Sequence, residues 1–190
     1  MQVTLSERYI DHGDAGISQT VGAMLELMRD GARLPITHAT AAEIASTARR
    51  GSTATETGYH LAAAIREWVA TRWRFVDDPD AAELLYGPEP QLGFIAEHGA
   101  MFADCDDAVI LVGSLGLAAG LEARVLCVGF LTNDAPFVHT WVELRPRTLG
   151  ASAWLEADIT RPMQVIPVDR IGRAAALVAR TVWRWSGPAR

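Results

Sequence analysis

Apolar positions recur at helical spacing through the first 120 residues and then crowd into short runs typical of strands. Val21, Met24, Leu25 and Met28 predict a helix from Ser18 to about Asp30, with Gly31 as its stop. Pro35 then interrupts. Thr40-Ala41-Ala42-Glu43 fits a capping box, in which hydroxyl and carboxylate each accept one free amide, so a second, alanine-rich helix is predicted from there to near Gly51. Leu61, Ala64, Ile65, Trp68 and Val69 form one stripe of a third helix over roughly Glu56 to Trp73. Pro79, Gly87, Pro88, Pro90, Gly93 and Gly99 punctuate residues 77–100, which read as loop with one helical turn.

After Asp104 the pattern changes. Ala108, Leu111, Val112, Leu115 and Ala119 repeat at three or four, and almost no charge follows Asp107. A helix over 105–119 is therefore buried on most sides, with Gly120 closing it. Residues 123–131, 137–144 and 153–159 read as strands, the first two joined by a turn at Asn133-Asp134-Ala135-Pro136. Short connections make this sheet antiparallel. The expected plan is α+β: a helical N-terminal half, then a central buried helix packed on an antiparallel sheet. Residues 1–168 form one domain with its core in 56–162. Residues 169–190 are expected as an amphipathic C-terminal helix, with Ile171, Ala175, Val178, Val182 and Trp185 on one stripe. That helix either covers the domain's own core or docks a partner.

Composition narrows the class. The 190 residues suit one self-sufficient domain, able to bury roughly 70% of the unfolded surface. Net charge is −6, which argues against a nucleic-acid binder. All 17 basic residues are arginine, so no lysine amine is present for self-crosslinking. No apolar run reaches the ~20 residues of a membrane span, and no signal peptide is evident. With two cysteines, a reducing, cytoplasmic setting is expected.

Three residues stand out by type and placement. Cys105 opens the buried helix, where free amides and the helix dipole favour a thiolate. His139 lies on a predicted strand and Asp158 at the end of the next. Antiparallel pairing lets the aspartate orient the imidazole while the imidazole moves the cysteine proton. Asp104, Asp106 and Asp107 cap the helix but oppose ionisation of the thiol by like charge. The Cys105 amide is one oxyanion donor. Gln91, His98, Asp104 and Trp141 are candidates for further oxyanion or substrate contacts. Cys127, inside an apolar strand, reads as a small buried hydrophobe. No ligand spacing supports a metal site, and Asp77, Asp78 and Asp80 read as turn carboxylates. No cofactor is expected.

The order of these pieces resembles the transglutaminase-like cysteine hydrolase superfamily. Ala103-Asp104-Cys105-Asp106-Asp107-Ala108 precedes a leucine-rich helix, a glycine turn and Ala123-Arg124-Val125; then come His139-Thr140-Trp141 and Trp154-Leu155-Glu156-Ala157-Asp158. The approach Arg74-Phe75-Val76-Asp77-Asp78-Pro79 and the strand end Val128-Gly129-Phe130 are similar to the small versions encoded in tailed phages and prophages. Ala103 stands where the pattern has glycine. The resemblance covers roughly residues 18–162. It implies a papain-like α+β core with Cys105 as nucleophile, His139 as base and Asp158 as orienter. The implied activity is a cysteine peptidase or amidase, or an acyl transferase, acting on a peptide or protein. The alternative is a non-catalytic assembly protein of a phage tail or virion that uses the same fold, with the C-terminal helix contacting other phage proteins.

Overall fold

The computed structural model describes residues 10, 14–78, 83–130, 137–149, 151–160 and 177–184. The architecture is α+β. Helix α1 (Asp14–Gly31) starts four residues before Ser18 and buries Val21, Met24 and Met28. Helix α2 (Pro35–Thr47) does not start at Thr40. Pro35 stands in its first turn, where a missing N–H costs nothing and the fixed φ is already helical, so the proline starts the helix instead of breaking it. Helix α3 (Ala54–Ala70) is capped by Thr53, whose hydroxyl accepts from the Glu56 amide at 3.1 Å, while the Glu56 carboxylate accepts from the Ser52 amide at 2.7 Å.

The chain leaves α3 three residues earlier than predicted. Strand β1 (Trp73–Phe75) buries Trp73, whose indole N–H donates to the Ala103 carbonyl at 3.1 Å. It pairs in parallel with β2 (Met101–Ala103), a two-stranded sheet too short to announce itself by periodicity. Between them lies α4 (Pro88–His98), where a loop is predicted. Pro88 sits in its first turn and Gly99 takes the left-handed conformation (φ 81°) just past its end. These two residues are helix punctuation in their proper places and not loop signals.

Helix α5 (Cys105–Ala118) is the centre of the molecule. Asp104 caps it, accepting from the Asp106 amide at 3.0 Å and the Asp107 amide at 3.5 Å. Every residue from Asp107 to Gly116 is buried, because α1, α2 and α3 pack on one side and the main sheet on the other. Two glycines permit that approach: a Cβ on Gly113 would collide with the Met28 side chain, and one on Gly116 would meet Leu144 at 2.5 Å. Gly120, at φ 82°, ends the helix as predicted.

The main sheet has the order β5-β4-β3-β6. Strands β3 (Glu122–Phe130) and β4 (Phe137–Arg145) are antiparallel, with Arg124 opposite Glu143 and Val128 opposite His139. Strand β5 is only Leu155–Glu156, the short core of the predicted 153–159 run. The last strand corrects the C-terminal expectation. Residues Leu177–Arg184 form β6, antiparallel to β3, not part of an amphipathic helix. Val178, Thr181, Val182 and Trp183 are strand formers, and β3 has a second edge to satisfy once β4 has taken the first. The rest of the predicted helix and the turn at 133–136 lie outside the described residues. Among the described residues, no helix is long and apolar enough to cross a membrane.

Candidate active site

Cys105 is the first residue of α5 and is half-buried. Its thiol points at the Asp106 carboxylate, Sγ to Oδ1 3.5 Å. Burial pushes the thiol well above its ordinary value, and the charges of Asp106 and Asp104 push it further; a hydrogen bond from the Thr140 backbone opposes them. The thiolate expected from the helix start is therefore not the resting form. A helix end carries only about half a charge, and two full carboxylate charges within one residue of the sulfur outweigh it.

His139, on β4, donates from Nε2 to Asp158 Oδ2 at 2.8 Å. The two side chains are 12% and 3% exposed. Burial works to raise the Asp158 carboxyl, but hydrogen bonds from His139 and Thr160 outweigh it and hold the group below its ordinary value. An imidazole whose Nε2 is so engaged keeps Nδ1 for proton exchange. Asp158 is itself fixed from several sides. Thr160 donates to Oδ1 from its amide at 2.8 Å and its hydroxyl at 2.6 Å, and the buried Arg66 of α3 donates from Nε to the Asp158 carbonyl at 2.9 Å.

Cys105 and Asp158 line one narrow cleft, together with Thr140, Trp141 and Thr160. Trp141 is buried, its ring centroid 5.8 Å from that of His139, and its indole N–H has no hydrogen-bond partner among the described residues. A larger cavity of about 480 Å³ opens beside His139, walled by Trp73, Phe75, Ile159 and Thr160.

The other candidates are held in structural contacts. Gln91 is fully buried, and Nε2 donates to the carbonyls of Tyr86 at 2.6 Å and Asp107 at 3.1 Å. Both amide protons are thus committed, which leaves none for a substrate oxyanion. His98 sits at the end of α4, paired with the Glu97 carboxylate at 3.8 Å and stacked on Phe94 with centroids 4.2 Å apart. Asp104 is spent on capping α5.

Sequence reasoning missed Thr160 and Arg66. The first had a signal, since a hydroxyl two residues after an aspartate fits a local side-chain turn. The second was visible only as an arginine beside Ile65 in an apolar stripe. Around Cys105 the carboxyls crowd. Asp78, Glu83 and Asp104 bring one oxygen each within 4.8 Å of one another, close enough to share a proton or a cation. Burial and mutual repulsion push Glu83 and Asp107 up to about 8, and Asp104 and Asp106 up to about 6.

No family model matches the chain, and no curated protein sequence does. Among solved structures it is similar to a candidate cysteine protease from Cytophaga hutchinsonii, at a TM-score of 0.45 and 16% identity over 78% of this chain. The match spans 47% of that protein, about half its length.

Proposed function

We propose that the chain is a cysteine-dependent amide hydrolase or acyl transferase of papain-like, transglutaminase-like type, acting on a peptide or protein through Cys105, His139 and Asp158. One observation carries the reading: the His139–Asp158 pair, a half-buried imidazole bonded to a buried carboxylate, whose carboxylate residue lines the same cleft as the thiol that opens α5. In this reading His139 Nδ1 takes the Cys105 proton as the sulfur attacks the amide carbonyl. The oxyanion accepts a hydrogen bond from the Cys105 amide at the start of α5. His139 then returns the proton to the leaving amine. Water, or an external amine, releases the acyl group. Because the thiol is neutral at rest, proton transfer accompanies attack and does not precede it.

The test uses iodoacetamide, with modification mapped to Cys105 by mass spectrometry. His139→Ala is expected to slow alkylation at pH 7 by about a hundredfold, the lower range of general-base effects. Equal rates in the two proteins would overturn the proposal. A second reading, a non-catalytic protein of the same fold serving in phage tail or virion assembly, is favoured by the carboxylates that keep Cys105 protonated. It predicts that equality: an inert thiol, indifferent to His139.

A further inference from the structure

We propose that Thr160 is a positioning residue for the His139–Asp158 pair, acting through the carboxylate and not on substrate. The inference rests on the triad reading above and adds a fourth member to it. Asp158 has two carboxylate oxygens with separate duties. Oδ2 accepts from His139 Nε2 at 2.8 Å; Oδ1 accepts twice from Thr160, from the amide at 2.8 Å and the hydroxyl at 2.6 Å. The hydroxyl contact has the short length of a charge-assisted bond to an ionised carboxylate. The same hydroxyl oxygen lies 3.5 Å from His139 Nε2, so it also flanks the imidazole.

The geometry has a consequence for the proton. A carboxylate held only by its histidine can swing about χ2 until neither oxygen faces Nε2, and the imidazole can then lose its tautomer. Two donors on Oδ1 remove that freedom. They leave Oδ2 as the acceptor for Nε2–H, which keeps Nδ1 unprotonated and able to take the thiol proton. Thr160 also lines both the narrow Cys105 cleft and the larger cavity beside His139, so it sits where the pair meets solvent. The backbone hydrogen bond survives every substitution except proline. The side chain supplies only the hydroxyl, and Thr160→Val removes that group at nearly constant shape.

The experiment compares the full chain with Thr160→Val, Thr160→Ser, Asp158→Asn, the Thr160→Val/Asp158→Asn double variant and His139→Ala. Iodoacetamide alkylation of Cys105 at pH 7 is one readout, and the His139 tautomer by nitrogen-15 NMR is the other. Thr160→Val is expected to slow alkylation by about tenfold, the scale of one charge-assisted bond, and to mix the tautomers. Thr160→Ser should restore both to wild-type behaviour. In the Asp158→Asn background, Thr160→Val should add nothing, since the residue acts through that carboxylate. Should Thr160→Val not fold, Thr160→Ala removes the same hydroxyl and carries the same expectations. Wild-type alkylation and tautomer in Thr160→Val, or a further slowing in the double variant, overturns the role of Thr160. If His139→Ala slows alkylation while Thr160→Val does not, only this inference falls; if His139→Ala changes nothing, the triad falls with it.

Discussion

The carboxylates that make Cys105 a good helix start also hold its proton on. Asp104 accepts two backbone amides and Asp106 faces the sulfur, so capping and ionisation draw on the same charges with opposite effect. Asp106→Asn keeps an acceptor near the thiol and removes the charge. We expect Cys105 alkylation by iodoacetamide at pH 8 to rise, about tenfold for each pKa unit by which the thiol drops; an unchanged rate would show that burial alone sets the thiol. The proposed triad Cys105, His139 and Asp158 drew attention in the sequence because each is chemically conspicuous where it falls. The environment that tunes them did not. Desolvation depends on α1–α3 closing over α5, and the Thr160 and Arg66 hydrogen bonds exist only once residues 158–160 have turned back. Gln91 misled for a related reason. A buried amide looks the same in sequence whether its protons face a substrate or, as here, two backbone carbonyls.

The sheet delivers the site through its register. Arg124 pairs with Glu143 directly across β3 and β4, and Arg145 pairs with Glu122. Both guanidinium groups lie 4.4 Å from the Trp154 ring centroid, so one indole clamps the segment that leads into β5 and on to Asp158. Cation–π contacts contribute about 0.5–2 kcal/mol each, and Trp154→Ala is expected to cost about 1–3 kcal/mol. Urea unfolding measures that loss, and a lower midpoint accompanied by a mixed His139 tautomer would show that the clamp also sets the site. Trp154→Phe keeps a weaker π face and should lie between. Helices α1 and α3 were legible because burial on one face writes itself into spacing, and α5, β3 and β4 because segments buried on both sides read as mainly apolar runs. Helix α4 was hidden by prolines that a first turn tolerates. In β6, Val178 and Val182 four residues apart satisfy a helical stripe and a strand equally well. Only the open edge of β3 decides between them, and an edge is not a property of residues 177–184.

Across the whole molecule, the acidic side of the cleft ties folding to pH. Asp107 is fully buried and pushed up to about 8, chiefly by that burial, with Asp104, Asp78 and Asp106 adding repulsion. Asp104 and Asp106 rise to about 6 and Glu83 to about 8, although Glu83 is exposed and water screens its share. These groups keep protons in the folded chain that the unfolded chain releases near pH 4. Their favourable contribution is complete below about pH 4 and drains away as pH rises toward 8. Asp158 has the opposite sign. Its lowered value stabilises the fold above its ordinary range and is lost only as pH falls below about 4. The two windows barely overlap, so stability should peak near pH 4–5. We expect a melting temperature several degrees lower at pH 8 than at pH 5, since about 1 kcal/mol moves a chain of this size by ~2–4 °C. Asp107→Asn preserves an acceptor for the Tyr86 amide while removing the charge, so it should flatten that slope and melt above wild type at pH 8. A melting temperature that climbs from pH 5 to pH 8, or an Asp107→Asn slope as steep as wild type, would mean that Asp107 does not control the pH response.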